Sequence, residues 1–110
     1  MSAAPEERLA RNEVFFREVN ERIRQVTKGV NGESHDFLCE CSDPTCAIRI
    51  SLTLEEYEHI RANSTRFVLA PGHVAAEIEH VLEYAGDHVV VEKLGVAGEV
   101  ASDLDPRTAG

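Results

Sequence analysis

The stretch DFLCECSDPTCAIRI, residues 36–50, contains all three cysteines of the 110-residue chain, Cys39, Cys41 and Cys46. Three thiols cannot all pair as disulfides, and clustered thiolates are the usual ligands of zinc or of an iron–sulfur cluster. Cys39 and Cys41 point to the same side of an extended segment, because side chains alternate along a strand. Turn residues in the segment SDPT bring Cys46 back toward them. The spacing therefore predicts three convergent metal ligands.

A closed tetrahedral site needs a fourth ligand, and the chain has five histidines. His73 follows a predicted strand in the segment LAPGH, where Pro and Gly predict a stiff turn. His35 is the alternative, because it shortly precedes Cys39 in the sequence and could reach the same site. The other three histidines are weaker candidates, and water in the fourth position stays open. The predicted zinc ligands are Cys39, Cys41, Cys46 and His73.

Other roles for the three cysteines remain possible from the sequence. They can be buried small apolar residues without a ligand, since cysteine is often found in cores. The polar neighbours Glu40, Ser42 and Asp43 argue against this. A C-x-C redox couple with Cys46 as the resolving thiol is a further alternative, and so is an iron–sulfur cluster, which usually takes four thiolates.

The N-terminal segment, residues 4–28, predicts an amphipathic helix with an apolar stripe and charged residues on its other faces. The stripe consists of Leu9, Phe16, Val19, Ile23 and Val26, with Asn12 between the first two. We expect this helix to lie on its own domain. The alternative is a short coiled coil between two chains, in which Asn12 sets the register.

The remainder of the chain predicts short strands and one well-marked helix. The predicted strands are 35–41, 47–52, 66–70, 78–84 and 88–93, with the last two as a hairpin. Thr53 and Glu56 form a T-x-x-E capping box, which predicts a helix over residues 54–62. Gly29 and Gly32 are expected to end the first helix within a GVNGES linker.

The composition excludes some classes of partner. The chain carries 20 acidic and 11 basic residues, a net charge of −9. Nucleic acids and anionic membranes require basic surfaces, so we expect neither, and a basic or neutral protein partner suits the charge. No apolar run approaches the roughly 20 residues of a membrane helix, and the N-terminus lacks an apolar signal core. We therefore expect a cytoplasmic protein, in which reducing conditions favour metal binding over disulfides.

Together these patterns predict an α+β fold. An N-terminal amphipathic helix, residues 1–30, precedes a zinc-binding domain, residues 33–95, and a C-terminal tail, residues 96–110. The middle unit is expected to be a small zinc-stapled antiparallel sheet with one or two further helices, because a chain this short forms a thin core that a metal can support.

Several motifs resemble a family of small uncharacterised proteins that is common in high-GC Gram-positive bacteria. The resemblance rests on RNEVFFREVNERI, FLCECSDPTC, LTLEEYEHIRANSTRFVLAPGH and HVVVEK, and covers about residues 10–95. The family pattern has the three cysteines and the histidine of PGH, His73, and it does not usually show a histidine at the position of His35. The resemblance therefore implies a metal site that contains His73, and it implies no particular activity.

The sequence favours a non-enzymatic zinc-binding module that acts in regulation or protein interaction, with the N-terminal helix as the partner-binding or dimerising element. One alternative is a zinc–thiolate redox or metal sensor, since thiolates at a zinc site can be oxidised. Another is a zinc-dependent enzyme with Glu40 or Asp43 as a base, although no H-E-x-x-H motif and no phosphate-binding glycine loop occur. Nucleic-acid binding is the least favoured class because of the charge.

Overall fold

The computed structural model describes residues 5–27 and 33–107, and these residues form an α+β fold, as predicted. In chain order the elements are α1 (Pro5–Thr27), β1 (Ser34–Leu38), β2 (Arg49–Thr53), α2 (Leu54–Arg61), β3 (Arg66–Leu69), β4 (Glu79–Tyr84), β5 (Val89–Lys93) and α3 (Gly95–Asp103). The predicted roles of Gly29 and Gly32 in the GVNGES linker lie outside the described residues. Within the described ranges, no helix combines the length and the apolar composition that crossing a bilayer requires.

The strands form two antiparallel sheets. β1 pairs with β2, and β5 lies between β3 and β4. Each predicted strand is present, with ends that differ by up to a few residues. The largest difference follows β1, which ends at Leu38 although the prediction extended it to Cys41. The chain leaves β1 there and joins the second sheet instead, since the Glu40 amide donates to the Val68 carbonyl at 2.8 Å.

The capping box predicted for α2 is confirmed. The Glu56 amide donates to the Thr53 hydroxyl at 3.1 Å, and the Thr53 amide donates to the Glu56 carboxylate at 2.8 Å. Two amides at the start of the helix are satisfied in this way. Tyr57 and Ile60 are buried, and the Tyr57 ring stacks on Phe37 of β1 at 4.5 Å between centroids. The box therefore places α2 against the first sheet.

Helix α1 packs on its own chain, against α3 and β1, and the predicted stripe coincides with its buried face only in part: Phe16 is buried, Leu9 and Ile23 are half-buried against the core, and Val26 is exposed. Val26 is 83% exposed and Phe15 is 60% exposed. The buried face mixes small, apolar and polar residues: Ala10, Glu13, Val14, Phe16, Arg17, Asn20 and Glu21. Asn12 does not set a coiled-coil register, because its amide donates to the Ser42 carbonyl at 3.0 Å. Sequence periodicity missed part of this face because its charged members are buried only through partners that lie far along the chain.

Buried arginines connect α1 to the C-terminal part of the fold. Arg17, fully buried, donates to the carbonyls of Ser64 and Ala101, each at 2.7 Å. Arg61 of α2 donates to Glu21 at 2.8 Å and to Asp105 at 2.6 Å. These bonds pair both terminal nitrogens of Arg17 and the guanidinium of Arg61, as burial of charge requires, and leave only the Arg17 Nε atom without a hydrogen-bond partner.

A second buried charge cluster lies beneath α1. The Lys93 ammonium contacts the carboxylates of both Glu13 and Glu79, and all three side chains are fully buried. It also lies 4.4 Å from the centre of the Phe67 ring. Burial is the main cause that raises the pKa of Glu13 from 4.5 to about 9, and the nearby Glu79 acts in the same direction. At neutral pH the Glu13 carboxyl group of this cluster therefore carries a proton.

Candidate metal centre

The structure brings Cys39, Cys41, Cys46 and His73 together at one point. Their ligand atoms, three sulfurs and one imidazole nitrogen, all lie within 4.8 Å of one another. The Nδ1 atom of His73 is 3.7 Å from the sulfurs of both Cys39 and Cys46. All three cysteines are free thiols. The group is therefore positioned to bind a metal ion.

The spacing of these atoms fits a tetrahedral ion of the size of zinc. Zn–S bonds of about 2.3 Å and Zn–N bonds of about 2.0 Å at tetrahedral angles place sulfur and nitrogen about 3.5 Å apart. The two S–N distances of 3.7 Å lie close to this value. Three sulfurs and one imidazole nitrogen also suit zinc, whereas magnesium and calcium take oxygen ligands.

The cysteine side of the centre is built by a tight turn. Asp43 accepts hydrogen bonds on one carboxylate oxygen from the Thr45 amide at 2.9 Å and the Thr45 hydroxyl at 2.7 Å. The Cys46 amide donates to the Asp43 carbonyl at 3.1 Å, which closes the turn. The turn predicted for the segment SDPT is therefore present, and it returns Cys46 toward the other two thiols.

The histidine side is built by a second turn, which follows β3. The His73 amide donates to the Ala70 carbonyl at 3.1 Å across Pro71 and Gly72. Gly72 has φ of +86°, the left-handed conformation that this position of a type II turn requires and that side chains disfavour. Proline at the preceding position restricts the backbone further. The imidazole is thus held on a stiff backbone, as the segment LAPGH predicted.

Burial makes the Cys39 and Cys41 thiols poor anions in the absence of a cation. It is the main cause that raises the pKa of both Cys39 and Cys41 above the ordinary value for a thiol. The Ala70 amide acts in the opposite direction, since it donates to the Cys39 sulfur at 3.1 Å and favours the thiolate. A divalent cation reverses the balance, because its charge stabilises a coordinating thiolate. The site therefore has the buried, preformed character of a metal-binding centre.

Glu40, which lies between two cysteines in CEC, has a structural role that the sequence did not reveal. It is fully buried, and its carboxylate accepts from the Val68 amide at 3.0 Å and from the Asn20 amide at 2.8 Å. It faces away from its neighbours Cys39 and Cys41, as alternation along an extended chain requires. Glu40 thus fixes the backbone that presents the two thiols.

Asn20 of α1 is the second residue that the sequence analysis missed. Its side chain pairs with the Leu38 backbone in both directions, accepting from the amide at 2.8 Å and donating to the carbonyl at 2.9 Å. Asn12 holds the other end of the segment through the Ser42 carbonyl. Two asparagines eight positions apart on a helix give a weak sequence signal, since amides usually face solvent. They make α1 a support for the cysteine segment.

We expect Asn20→Ala to lower the free energy of unfolding by about 3 kcal/mol, because it leaves buried groups of Leu38 and Glu40 without partners. Zinc affinity should fall as well, since the cysteine backbone loses its support. Gln25→Ala is the matched control, because Gln25 is an exposed amide on the same helix. Denaturant unfolding and a zinc competition titration measure the two effects, and equal behaviour of both variants would contradict the coupling.

His35, the alternative fourth ligand, is not among the residues that meet at the centre. It lies on β1 opposite Leu52, partly buried. Of the three weaker candidates, His59 and His80 are exposed, and His88 is buried next to Asp87 at the turn before β5. The structure thus brings His73 to the cysteines, the arrangement that the sequence favoured.

These features define a small α+β protein with a Cys3His cluster that is able to bind a metal. Comparison of the chain with protein-family models, with curated proteins and with solved structures found no match. The function is therefore argued from the geometry of the site.

Proposed function

We propose that the protein is a non-enzymatic, zinc-stapled domain that acts as a protein-interaction or regulatory module. The observation that carries this proposal is the convergence of four ligand atoms within 4.8 Å from segments on either side of β2, α2 and β3. An ion bound there connects the segment after β1 to the turn after β3. Because the unfolded chain has no such site, the binding free energy of the ion adds to the free energy of folding.

A structural role suits the donor set better than a catalytic one. Three thiolates and one imidazole complete a tetrahedral zinc shell and leave no open position for water or substrate. Glu40, considered as a base for the enzyme alternative, is buried and accepts hydrogen bonds from Asn20 and Val68. The carboxylate of Asp43 is engaged by Thr45. The sensor alternative, the cytoplasmic location and membership of the Gram-positive family stay predictions.

Metal analysis tests the proposal directly. The purified protein is expected to contain close to one zinc per chain, and removal of the ion by a chelator should lower its melting temperature until zinc is added back. Cobalt substitution gives an independent readout, because the absorption of Co²⁺ reports thiolate ligation. Metal content well below one equivalent, or a melting temperature that does not respond to zinc, would refute the proposal.

Two features support the interaction role, the net charge of the chain and the outer face of α1. A net charge of −9 favours a basic or neutral protein partner over nucleic acid. Phe15 and Val26 are exposed on α1 at 60% and 83%, and large exposed apolar side chains are frequent at interaction surfaces. We therefore keep α1 as the proposed contact with a partner or with a second copy of the chain.

We expect Phe15→Ser combined with Val26→Ser to convert a dimer into a monomer, as judged by light scattering or native mass spectrometry. The substitutions remove apolar contact area from the outer face and leave the buried face intact. Deleting α1 is unsuitable for this test, because Arg17 and Asn20 are part of the folded core. Glu99→Gln, exposed on α3 away from this face, is the control. An unchanged solution mass would exclude dimerisation through α1.

A further inference from the structure

A cleft of about 480 Å³ opens between α2 and the three-stranded sheet. None of its lining residues belongs to the Cys3His cluster. Its apolar part is formed by Ile60 of α2, Leu82 of β4 and Val90 of β5. A volume of this size lies within the range of ligand-binding clefts, about 300–1,000 Å³. The cleft is therefore a concave feature that the metal site does not explain.

An irregularity in β4 gives the cleft its shape. Val81 pairs with Val91 and Glu83 pairs with Val90, so Leu82 is an extra residue in a bulge. Bulges redirect side chains and are common next to binding sites. Leu82 is 43% exposed in consequence, although its neighbour in the cleft, Val90, is nearly buried. The bulge thus presents an apolar side chain at the open side of the cleft.

The charged groups around this apolar surface are mainly acidic. Glu55 and Glu56 contribute carboxylates from α2, and Glu83 contributes one from β4. On the basic side, Arg66 is paired with Glu92 at 3.6 Å, and His59 and His88 contribute imidazole rings to the lining. A cleft lined mainly by one sign of charge concentrates the electrostatic field and attracts the opposite charge. The cleft is therefore complementary to a group that has an apolar stem and a cationic end.

We propose that this cleft docks a basic segment of a partner protein. A lysine or arginine side chain combines an aliphatic stem with a cation, and such stems cover apolar surface while the charge stays at the edge. The stem fits against Leu82 and Val90, and the cation meets the carboxylates of Glu55 and Glu83. This inference rests on the interaction role proposed above and names the chemistry of the partner. It does not depend on the metal.

The test is an NMR titration of the zinc-loaded full chain with two acetylated, amidated peptides that differ in one residue. One carries a lysine between two leucines, and the other has glutamate in place of the lysine. The lysine peptide should shift the amide signals of Ile60, Leu82 and Val90, and the glutamate peptide should not. Glu55→Gln with Glu83→Gln should weaken binding about threefold to tenfold, because each exposed ion pair contributes modestly.

Glu18→Gln, an exposed carboxylate of α1 outside the cleft, is the matched control and should bind the lysine peptide like the original protein. Zinc content and melting temperature of each variant, measured on the same samples, verify the fold. Equal shifts with both peptides, shifts outside the cleft, or no shifts at low millimolar peptide would overturn the proposal. Butylamine that binds as tightly as the peptide would identify a small-cation site instead of a docking site. These outcomes leave the zinc measurements, and thus the proposed staple, unaffected.

Discussion

Replacing His73 by alanine is expected to weaken zinc binding at least a hundredfold, which corresponds to about 2.7 kcal/mol of stability at saturating zinc. The imidazole is the only nitrogen in the group of four, and its Nδ1 atom lies 3.7 Å from two of the three sulfurs. Without it, water must complete the shell in a partly buried site. Competition with a chromophoric chelator measures the affinity, and denaturant unfolding in excess zinc measures the stability.

His35→Ala is the matched control, because this histidine was the alternative ligand and lies outside the group. It should change zinc affinity by less than about twofold to threefold, the usual size of a surface effect near 0.5 kcal/mol. If the two alanine variants lose zinc equally, the assignment of His73 is wrong. A His73→Cys variant adds a second check, since a fourth thiolate should restore zinc binding if the position is a ligand.

The second large effect is expected from Lys93→Met, which should lower the free energy of unfolding by about 3–5 kcal/mol. The Lys93 ammonium lies between the carboxyl groups of Glu13 and Glu79, and all three side chains are buried. Methionine fills a similar volume but leaves a buried carboxylate without a counter-ion. Urea unfolding at neutral pH measures the loss, and a loss below about 1 kcal/mol would contradict the pairing.

Glu13→Gln is the matched variant and should raise the free energy of unfolding at neutral pH, because the unfolded chain releases the Glu13 proton there and glutamine avoids that cost. Burial raises the pKa of Glu13 to about 9, so this carboxyl group already carries a proton there and glutamine imitates it. Lys93 and Glu79 keep their ion pair in the variant. The contrast between the two substitutions separates the effect of charge from that of simple packing.

The same group predicts how stability depends on pH. Between pH 4.5 and about 9, the folded state keeps a proton on Glu13 that the unfolded chain releases. Stability therefore decreases as pH rises through this window, by up to about 1.4 kcal/mol per pH unit. The difference in unfolding free energy between Glu13→Gln and the original protein, followed from pH 7 to about 9 in excess zinc, should grow in favour of the variant. A constant difference would show that Glu13 does not titrate in this range.

Features that depend on a few neighbouring residues could be predicted from the sequence. The capping box of Thr53 and Glu56, the turn at Asp43 and the turn that presents His73 all formed as expected. So did the hairpin of β4 and β5. Local hydrogen bonds and backbone preferences determine such elements, and they act over three or four residues whatever the remainder of the chain does. Three of the four members of the Cys3His cluster fell within one such stretch.

The buried face of α1 could not be predicted in the same way. Periodicity ranks residues by hydrophobicity and therefore selected Val26, which is exposed, over Glu13 and Arg17, which are buried. Charged residues become interior only when partners neutralise them. Those partners are Lys93 for Glu13 and the carbonyls of Ser64 and Ala101 for Arg17, all remote along the chain.

The sequence by itself thus determined the thiol ligands, the turns that position the ligands and the helix that follows β2. Such local geometry depends on the types of neighbouring residues alone. Only the tertiary structure decided that His73 meets the cysteines and that Asn20 and Glu40 support them. It also decided that an acidic cleft opens beside the bulge of β4. The physical reason is that the burial of a residue and the meeting of ligand atoms depend on which distant segments pack together. A single sequence does not specify the distances between such segments.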